Sequence, residues 1–255
     1  MISNFLEVLI LSIVQGISEF IPVSSSAHLI IFSNIINFSN KSIIFDVGLH
    51  LGSLLAIIFY FKKELLNISN DKKLFNLLLF GSIPLIIVGY IFYSTGIINS
   101  FRNLKIIAFT TLIFGILMYF ADNFKIKKNI EKDLTIKNIL IIGILQVLAI
   151  IPGVSRAGIT ITAGRFLNFD RYDSTKISFY LSIPALMGAS VLSLKDAVNE
   201  NLEFNLFLIF SIILSFIFSY LTIKYFLIYT KKFSLKFFVI YRIILSIIIF
   251  TINYY

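Results

Sequence analysis

Two short polar stretches interrupt the long apolar runs of this chain, and they hold the side chains that could do chemistry. The first, QGISEFIPVSSSAH, spans residues 15–28, and the second, IPGVSRAGIT, spans residues 151–160. A serine can attack phosphorus when a carboxylate or a histidine removes its proton. The first stretch holds all three residue types, and the second adds an arginine, whose planar fork suits phosphate oxygens. These residue types favour phosphoryl chemistry.

We expect four of these side chains to be catalytic: Glu19, Ser25, His28 and Arg156. Ser25 would attack phosphorus, and His28, on the same predicted helix, would relay its proton. Glu19 would orient His28 or hold a divalent cation, Mg²⁺ or Ca²⁺. Gln15 shares a helical face with Glu19 and would supply a second oxygen ligand to that ion. Attack by His28 itself, or by a metal-activated water, is an open alternative.

Each stretch also predicts the start of a new helix, and helix starts bind phosphate. Pro22 in the first stretch and Pro152 in the second end the preceding helix, because proline lacks a backbone N–H. A serine behind each proline is suited to cap the next helix, whose free N–H groups and dipole attract anions. If the two stretches meet, two such sites converge. The predicted substrate-binding residues are Gln15, Ser24, Ser26, Gly153, Ser155 and Thr160.

The composition places both stretches in a membrane. Of the 255 residues, 58% are hydrophobic and only 14% are charged, and the mean hydropathy is +0.95. Soluble domains are far less apolar, so we predict an integral membrane protein surrounded by membrane lipids. The net charge of +9 lies mainly between the apolar runs, which indicates membrane topology and attraction to anionic headgroups and not nucleic-acid binding. The absence of cysteine excludes disulfides and thiolate sites.

Hydropathy predicts an all-α polytopic membrane fold. Some apolar segments would cross the membrane fully, and two are interrupted in the middle. The broken segments, residues 5–37 and 138–168, contain the two polar stretches and are interpreted as re-entrant helix hairpins. The predicted full spans cover residues 42–61, 74–93, 104–121, 177–194, 205–224 and 237–253. Ionisable residues at membrane depth are costly and generally functional, which strengthens the case for Glu19 and Arg156.

The distribution of lysine and arginine predicts the orientation of the loops. Strongly basic loops are assigned to the cytoplasm, and weakly basic or acidic loops to the outside. The cytoplasmic loops are predicted at 62–73, 125–137, 165–176 and 224–236, and the outer loops at 94–103 and 195–204. With this assignment the six full spans alternate, so that one hairpin enters from each side of the membrane.

An inverted repeat within a single membrane domain, residues 1–255, follows from that topology. A re-entrant hairpin and three spans occur twice with opposite orientation, in residues 1–121 and 136–255. The motifs agree, because PVSSSAH aligns with PGVSRAG when Pro22 is placed on Pro152. Inverted repeats with broken helices build one site near the membrane midplane from both halves.

Other polar and small residues are interpreted as structural. His50, in FDVGLHLGS, is taken as a packed or hydrogen-bonded residue of a span and is left out of the catalytic set. Asp46, one turn earlier, is interpreted as a cap or a surface residue. Gly89 and Gly188 follow two Ser-Ile-Pro segments and predict helix-packing faces, which would also permit a homodimer.

Taken together, the motifs resemble those of the bacterial undecaprenyl-diphosphate phosphatase family, the bacitracin-resistance phosphatases. The resemblance rests on a Gln-x-x-x-Glu element followed by PVSSSAH, on PGVSRAGIT, and on the segments FDVGLHLGSLLAI and ISFYLSIPALMGA, and it covers nearly the whole chain. It implies hydrolysis of undecaprenyl diphosphate to undecaprenyl phosphate and inorganic phosphate in the bacterial cytoplasmic membrane. That reaction recycles the lipid carrier of cell-wall synthesis, and the site is expected to open to the outer face.

The resemblance also implies roles for single residues. The positions that match the family's motifs are Gln15, Glu19, Ser25, His28, Ser155 and Arg156. Ala157 stands where family members commonly have serine, so a hydroxyl contact is missing there. Gln15 fills one position of an acidic element, which lowers the local negative charge relative to a pair of glutamates.

Two other classes of membrane protein share features with this sequence. Inverted repeats with broken helices are common in transporters, so the main alternative is a lipid-phosphate flippase or an ion-coupled transporter. Another class of membrane lipid phosphatases uses a nucleophilic histidine that follows its Ser-Arg element. No histidine follows His50 in this chain, so that class is set aside.

Overall fold

The protein is described by a computed structural model as a bundle of α-helices. The structure describes residues 2–35, 43–68, 70–199 and 206–254. The helices are α1 (Ile2–Ser18), α2 (Ser25–Ile35), α3 (Ile43–Tyr60), α4 (Lys62–Leu66), α5 (Lys72–Ser94), α6 (Leu104–Asp122), α7 (Ile130–Asp133), α8 (Ile136–Gln146), α9 (Arg156–Phe166), α10 (Arg171–Asn199), α11 (Leu206–Lys232) and α12 (Lys236–Tyr254). Short 3₁₀ helices lie at Ile97–Phe101 and Val147–Ile150. Apart from one isolated bridge, the described residues form no β-structure.

The helices confirm an all-α polytopic membrane fold. Four of them, α5, α6, α10 and α11, are long and apolar enough to cross a membrane. Each coincides with a predicted span, and α3 and α12 lie at the places of the two remaining spans. Parts of the predicted first hairpin, two span starts and one outer loop lie outside the described residues, at 36–37, 42, 200–204 and 205. The inverted repeat stays a prediction.

Helices extend well into two of the segments predicted as cytoplasmic loops, 165–176 and 224–236. Helix α10 begins at Arg171, where Asp170 Oδ1 accepts the backbone N–H of Asp173 at 2.6 Å and so caps the helix. Helix α11 continues to Lys232, past its predicted end. Lysines in a last helical turn interact favourably with the helix dipole and can extend their charged ends toward water.

Small residues bring α3 and α11 into close contact. A Cβ atom at Gly48 would lie 1.8 Å from the Ser211 Oγ, so only glycine fits this position. The hydroxyl of Ser53 lies 3.1 Å from that of Ser215 and 3.0 Å from that of Ser219. These polar contacts between buried side chains fix the register of α3, which carries one wall of the cavity described below.

The packing predicted for Gly89 and Gly188 is not found within the described chain. No described atom lies within 4 Å of the position that a Cβ would take at either glycine. These glycines therefore do not mediate helix contacts within this chain, and the predicted homodimer stays a prediction.

A buried ion cluster joins the ends of four helices, and we name it the Asp122 cluster. Asp122 ends α6 and accepts two hydrogen bonds from Arg171, from Nε at 2.6 Å and from Nη2 at 3.1 Å. The backbone N–H of Leu235 donates to the same carboxylate at 3.0 Å. Arg165 lies 3.9 Å from it and donates to the Asp122 carbonyl at 3.0 Å. The cluster ties α9, α10 and α12 to α6.

Candidate active site

The first break lies between α1, which ends at Ser18, and α2, which begins at Ser25. Ser24 has a φ of 78°, and a left-handed conformation costs a non-glycine residue about 1–3 kcal/mol. The Ser24 Oγ accepts the backbone N–H of Ala27 at 3.4 Å, as a helix cap does. Ser24 is therefore the cap, and the Ser25 hydroxyl is available for other contacts.

The second break repeats this geometry at the start of α9. Ser155 precedes the helix with a φ of 70°, and its Oγ accepts the backbone N–H of Gly158 at 3.1 Å. Gly153 has a φ of 91°, and a Cβ there would lie 2.1 Å from the Thr110 Oγ1. Both the conformation and the close approach of α6 require glycine at this position.

The two breaks are in direct contact. The backbone N–H of Gly153 donates to the Ser24 Oγ at 3.2 Å, which joins residues of the two motifs. The same hydroxyl lies 3.3 Å from that of Ser26 in the first turn of α2. The starts of α2 and α9 consequently lie side by side, and their free N–H groups form a setting suited to an anion.

Glu19 lies at the centre of the contacts between the two motifs. Its Oε2 accepts the Ser25 hydroxyl at 2.7 Å and the Gln15 Nε2 at 3.1 Å. Its Oε1 accepts Arg156 Nη2 at 2.9 Å, and both side chains of this ion pair are only 10% exposed. A carboxylate that accepts a serine hydroxyl at this distance is placed to remove the proton of that hydroxyl.

Arg156 is held by more than the carboxylate. Its Nη1 donates to the Ser178 carbonyl on α10 at 2.9 Å, and its Nη2 also donates to the Glu19 carbonyl at 3.3 Å. The centre of the guanidinium lies 5.9 Å from the centroid of the Phe20 ring. These contacts orient the guanidinium. Among these partners only the Glu19 carboxylate carries a charge, so it alone balances the charge of Arg156.

A cavity of about 180 Å³ opens beside this network. We name its polar lining residues the polar wall: Ser18, Glu19, Ser24, Ser25, Ser26, His50, Ser155 and Arg156. We name its apolar lining residues the apolar wall: Leu85, Ala149, Ile150, Ala185, Leu186 and Ala189. A lining of both kinds suits a molecule with a charged head and a hydrocarbon tail.

Known proteins of one family are similar to nearly the whole chain. A family model described as Bacitracin resistance protein BacA matches residues 8–248. The chain belongs to the BacA family. It is 60% identical over 255 residues to an undecaprenyl-diphosphatase of Pelagibacter ubique (strain HTCC1062), and the alignment covers 100% of both chains.

More distant relatives of this BacA-family chain carry the same name. An undecaprenyl-diphosphatase of Elusimicrobium minutum is 40% identical over 234 residues, which cover 88% of each chain. An undecaprenyl-diphosphatase of Alteromonas mediterranea is 37% identical over 235 residues, which cover 87% of this chain and 88% of the relative. The similarity therefore extends over both motifs and the helices between them.

Most of the predicted site residues of this BacA-family chain come together. The predicted residues that line the cavity are Glu19, Ser24, Ser25, Ser26, Ser155 and Arg156. Gln15 lies behind Glu19, and Gly153 supports Ser24 through its backbone. Thr160 is fully buried, its hydroxyl lies 2.7 Å from that of Ser178, and it does not line the cavity. Ala157 is buried in the apolar core.

His28 is not brought to the Ser25 hydroxyl. Its Nδ1 donates to the Ser24 carbonyl at 2.6 Å, and its Nε2 lies 2.5 Å from the Tyr241 hydroxyl on α12. The two rings are also stacked, with 5.8 Å between their centroids. Because one ring nitrogen is bonded to the Ser24 carbonyl and the other to Tyr241, the hydrogen bonds of His28 do not include the Ser25 hydroxyl, and the predicted proton relay from Ser25 to His28 stays a prediction.

Sequence analysis missed Arg242 of α12, a fully buried arginine that holds both breaks together. It donates to Pro22 O at 3.2 Å in the first break, and to Gly153 O at 2.8 Å and Val154 O at 3.1 Å in the second. It also donates to Thr111 O at 3.2 Å. The available signal was an arginine inside a predicted span, a position that is costly unless it serves a purpose.

His50, interpreted from the sequence as a packed or hydrogen-bonded residue, lies closer to the site than that interpretation implied. The structure places it on the polar wall of the cavity with Glu19 and Ser25. Its Nδ1 lies 2.7 Å from the Asp46 carbonyl. A lone histidine in an apolar run gives little functional signal, because nothing in the local sequence shows that α3 faces the two breaks.

The residues present offer few ligands for a metal ion. Among the described residues, no group of three or more His, Cys, Asp or Glu side chains is arranged to hold one. The Gln15 Oε1, however, is buried without a hydrogen-bond partner, next to the Glu19 carboxylate that its Nε2 contacts. One carboxylate and one amide oxygen fit an Mg²⁺ ion whose other ligands are phosphate oxygens and water.

Proposed function

We propose that this protein is a membrane enzyme that hydrolyses undecaprenyl diphosphate to undecaprenyl phosphate and inorganic phosphate. The observation that carries the proposal is the 2.7 Å contact of the Ser25 hydroxyl with Glu19, in a cavity that Arg156 also lines. The undecaprenyl-diphosphatase that is 60% identical over the full length supports the substrate. The activity recycles the lipid carrier of cell-wall synthesis and gives resistance to bacitracin.

In the first step, Ser25 attacks the terminal phosphorus. Its proton passes to the Glu19 Oε2, the bond from Oγ to phosphorus forms, and the bridging P–O bond breaks with its electron pair on the prenyl phosphate. Glu19 loses its charge as it accepts the proton, so Arg156 loses its counter-charge at that moment. The guanidinium then stabilises the phosphoryl oxygens together with the N–H groups at the starts of α2 and α9.

A divalent cation fits this site as part of the proposal. While Glu19 is ionised, before it takes the Ser25 proton, its carboxylate and the Gln15 Oε1 would hold Mg²⁺ or Ca²⁺, with phosphate oxygens and water completing the ligand set. When bound, the ion would neutralise charge on the diphosphate and orient it. The residues of the chain then position the serine and the arginine around the terminal phosphate.

The polyprenyl chain leaves the site along its apolar wall. That wall is formed by Leu85 of α5 and by Ala185 and Ala189 of α10, whose small side chains leave room for a hydrocarbon. Part of the tail would thereby reach the lipid. We place the protein in the bacterial cytoplasmic membrane with the site open to the outer face. The two serine-capped breaks, in contact with each other, support construction from two inverted halves.

Phosphate release from a polyprenyl diphosphate tests the proposal. The protein purified in detergent is incubated with the lipid over a titration of Mg²⁺ and Ca²⁺, and inorganic phosphate is measured. We expect turnover that Ser25→Ala abolishes. The matched control is Ser94→Ala, since Ser94 is exposed at the end of α5 and bonds only to the Ile91 carbonyl. Absence of turnover with every ion would favour a lipid-phosphate flippase or an ion-coupled transporter instead.

A further inference from the structure

His50 lines the cavity and has one ring nitrogen without a hydrogen bond from the described residues. Its Nδ1 lies 2.7 Å from the Asp46 carbonyl. A carbonyl only accepts hydrogen bonds, so Nδ1 carries the proton and the neutral ring has its lone pair on Nε2. The described residues provide no hydrogen bond to that Nε2. In His28, by contrast, both ring nitrogens are occupied.

The proposed reaction needs a second base. In its first step Glu19 takes the Ser25 proton, and in the second step it must return that proton to the Ser25 Oγ, because a serine alkoxide is a poor leaving group. The water that attacks the phosphoserine must then lose a proton to another group. On the polar wall the remaining side chains are hydroxyls, an arginine and His50, and of these only the imidazole offers a nitrogen lone pair that can accept a proton.

We propose that Nε2 of His50 is the general base for hydrolysis of the phosphoserine, an inference that rests on the proposed function. The water oxygen forms a bond to phosphorus, and the bond from phosphorus to the Ser25 Oγ breaks. The water proton goes to His50, and the proton stored on Glu19 goes to Oγ. Inorganic phosphate leaves, and His50 releases its proton to solvent, which restores the starting state.

The two products separate this step from the first one. Rapid-quench kinetics measure prenyl phosphate and inorganic phosphate in wild type, His50→Gln and His50→Ala, with a polyprenyl diphosphate labelled in its terminal phosphate. We expect both variants to release one prenyl phosphate per protein in a burst. Inorganic phosphate release should slow by about 100-fold, the usual scale for loss of a general base. Label should accumulate on Ser25, and added imidazole should restore phosphate release in His50→Ala.

Each other outcome has a definite meaning. If the His50 variants release inorganic phosphate at the wild-type rate, or if both products slow equally without label on Ser25, the role of His50 is refuted. Wild type without turnover would instead refute the proposed function itself. His28→Gln is the comparison, since it alters the histidine that faces Tyr241, and no phosphoprotein should accumulate in it. His50→Gln retains a donor for the Asp46 carbonyl, so its thermal midpoint shows whether folding is preserved.

Discussion

Two arginine–carboxylate clusters lie within the part of the chain that the structure describes, and one of them lines the cavity. In the Asp122 cluster, a nearly inaccessible carboxylate receives two bonds from Arg171 and one from the backbone of Leu235. In the other cluster, Glu19 pairs with Arg156 through one oxygen and accepts the Ser25 hydroxyl with the other. The first joins helix ends, whereas the second holds a hydroxyl where a substrate could reach it.

The difference teaches that the role of a buried ion pair in a membrane protein depends on what else its carboxylate contacts. Breaking a buried pair is costly in either place, because it leaves an uncompensated charge. Glu19 contacts a hydroxyl that could act as a nucleophile, and it lies beside a cavity. The Asp122 carboxylate instead accepts hydrogen bonds from two chain segments that are distant in sequence. Substitutions in the two clusters should therefore separate activity from stability.

Glu19→Gln should have the largest effect on activity. The amide cannot take the Ser25 proton and cannot balance the charge of Arg156, so we expect turnover to fall by about 10³-fold, within the usual range for loss of a general base. The phosphate-release assay measures this loss, normalised to folded protein. A Glu19→Gln variant with turnover within an order of magnitude of wild type would contradict the assigned role.

Asp122→Asn should reduce stability and leave activity unchanged. Removing the charge leaves Arg171 and Arg165 without their carboxylate, and breaking a buried pair costs about 3–5 kcal/mol. We expect a lower free energy of unfolding, measured by denaturant titration in detergent, and an unchanged turnover per folded molecule. Lost turnover with normal stability would show that the comparison between the two clusters is mistaken.

Arg242→Lys tests the arginine that holds the breaks together. Arg242 donates to four carbonyls, those of Pro22, Thr111, Gly153 and Val154, whereas a lysine has only three N–H donors on a single nitrogen. We expect a loss of stability of about 1–3 kcal/mol from unsatisfied carbonyls and a turnover reduced by about tenfold, since small displacements of reacting groups are costly.

Arg165→Lys is the matched control for that variant. Arg165 is also buried and also donates to backbone carbonyls, those of Asp122 and Phe124, but in the Asp122 cluster. We expect it to lose stability and to keep its turnover per folded molecule. If both variants lose turnover equally, Arg242 has no special relation to the site.

Local sequence signals were sufficient to predict the two breaks and their capping residues. Pro22 and Pro152 interrupt apolar runs, and a serine follows each at a helix start. The end of one helix and the capping of the next therefore depend on only a few neighbouring residues. Glu19 and Arg156 stood out for the same reason, as ionisable residues beside breaks in a membrane segment.

The remaining features depend on contacts between distant parts of the chain. Arg242 of α12 donates to the carbonyl of Pro22, which lies 220 positions earlier in the chain. His28 contacts Tyr241 of the same helix. His50 faces the cavity only because serines and glycines set the register of α3 against α11. No periodicity or motif encodes such packing, so these contacts could not be predicted from the sequence.

The smallest expected difference concerns two buried threonines. Thr160 donates to the carbonyl of Arg156 at 2.8 Å, and Thr175 donates to the carbonyl of Arg171 at 2.8 Å, so each supports the arginine of one cluster. Both are fully buried, and replacement by valine keeps their shape. Each change should cost about 1 kcal/mol of stability for a lost hydrogen bond.

Turnover should distinguish these two variants. The Thr160 hydroxyl also lies 2.7 Å from the hydroxyl of Ser178, whose carbonyl accepts Arg156 Nη1. Thr160→Val therefore loosens the arginine that faces the cavity, and we expect a several-fold lower kcat, whereas Thr175→Val should leave kcat unchanged. A rise in KM alone for Thr160→Val would instead indicate direct contact with substrate, as the sequence predicted. Equal kcat in both variants would mean that Ser178 positions Arg156 without help from Thr160.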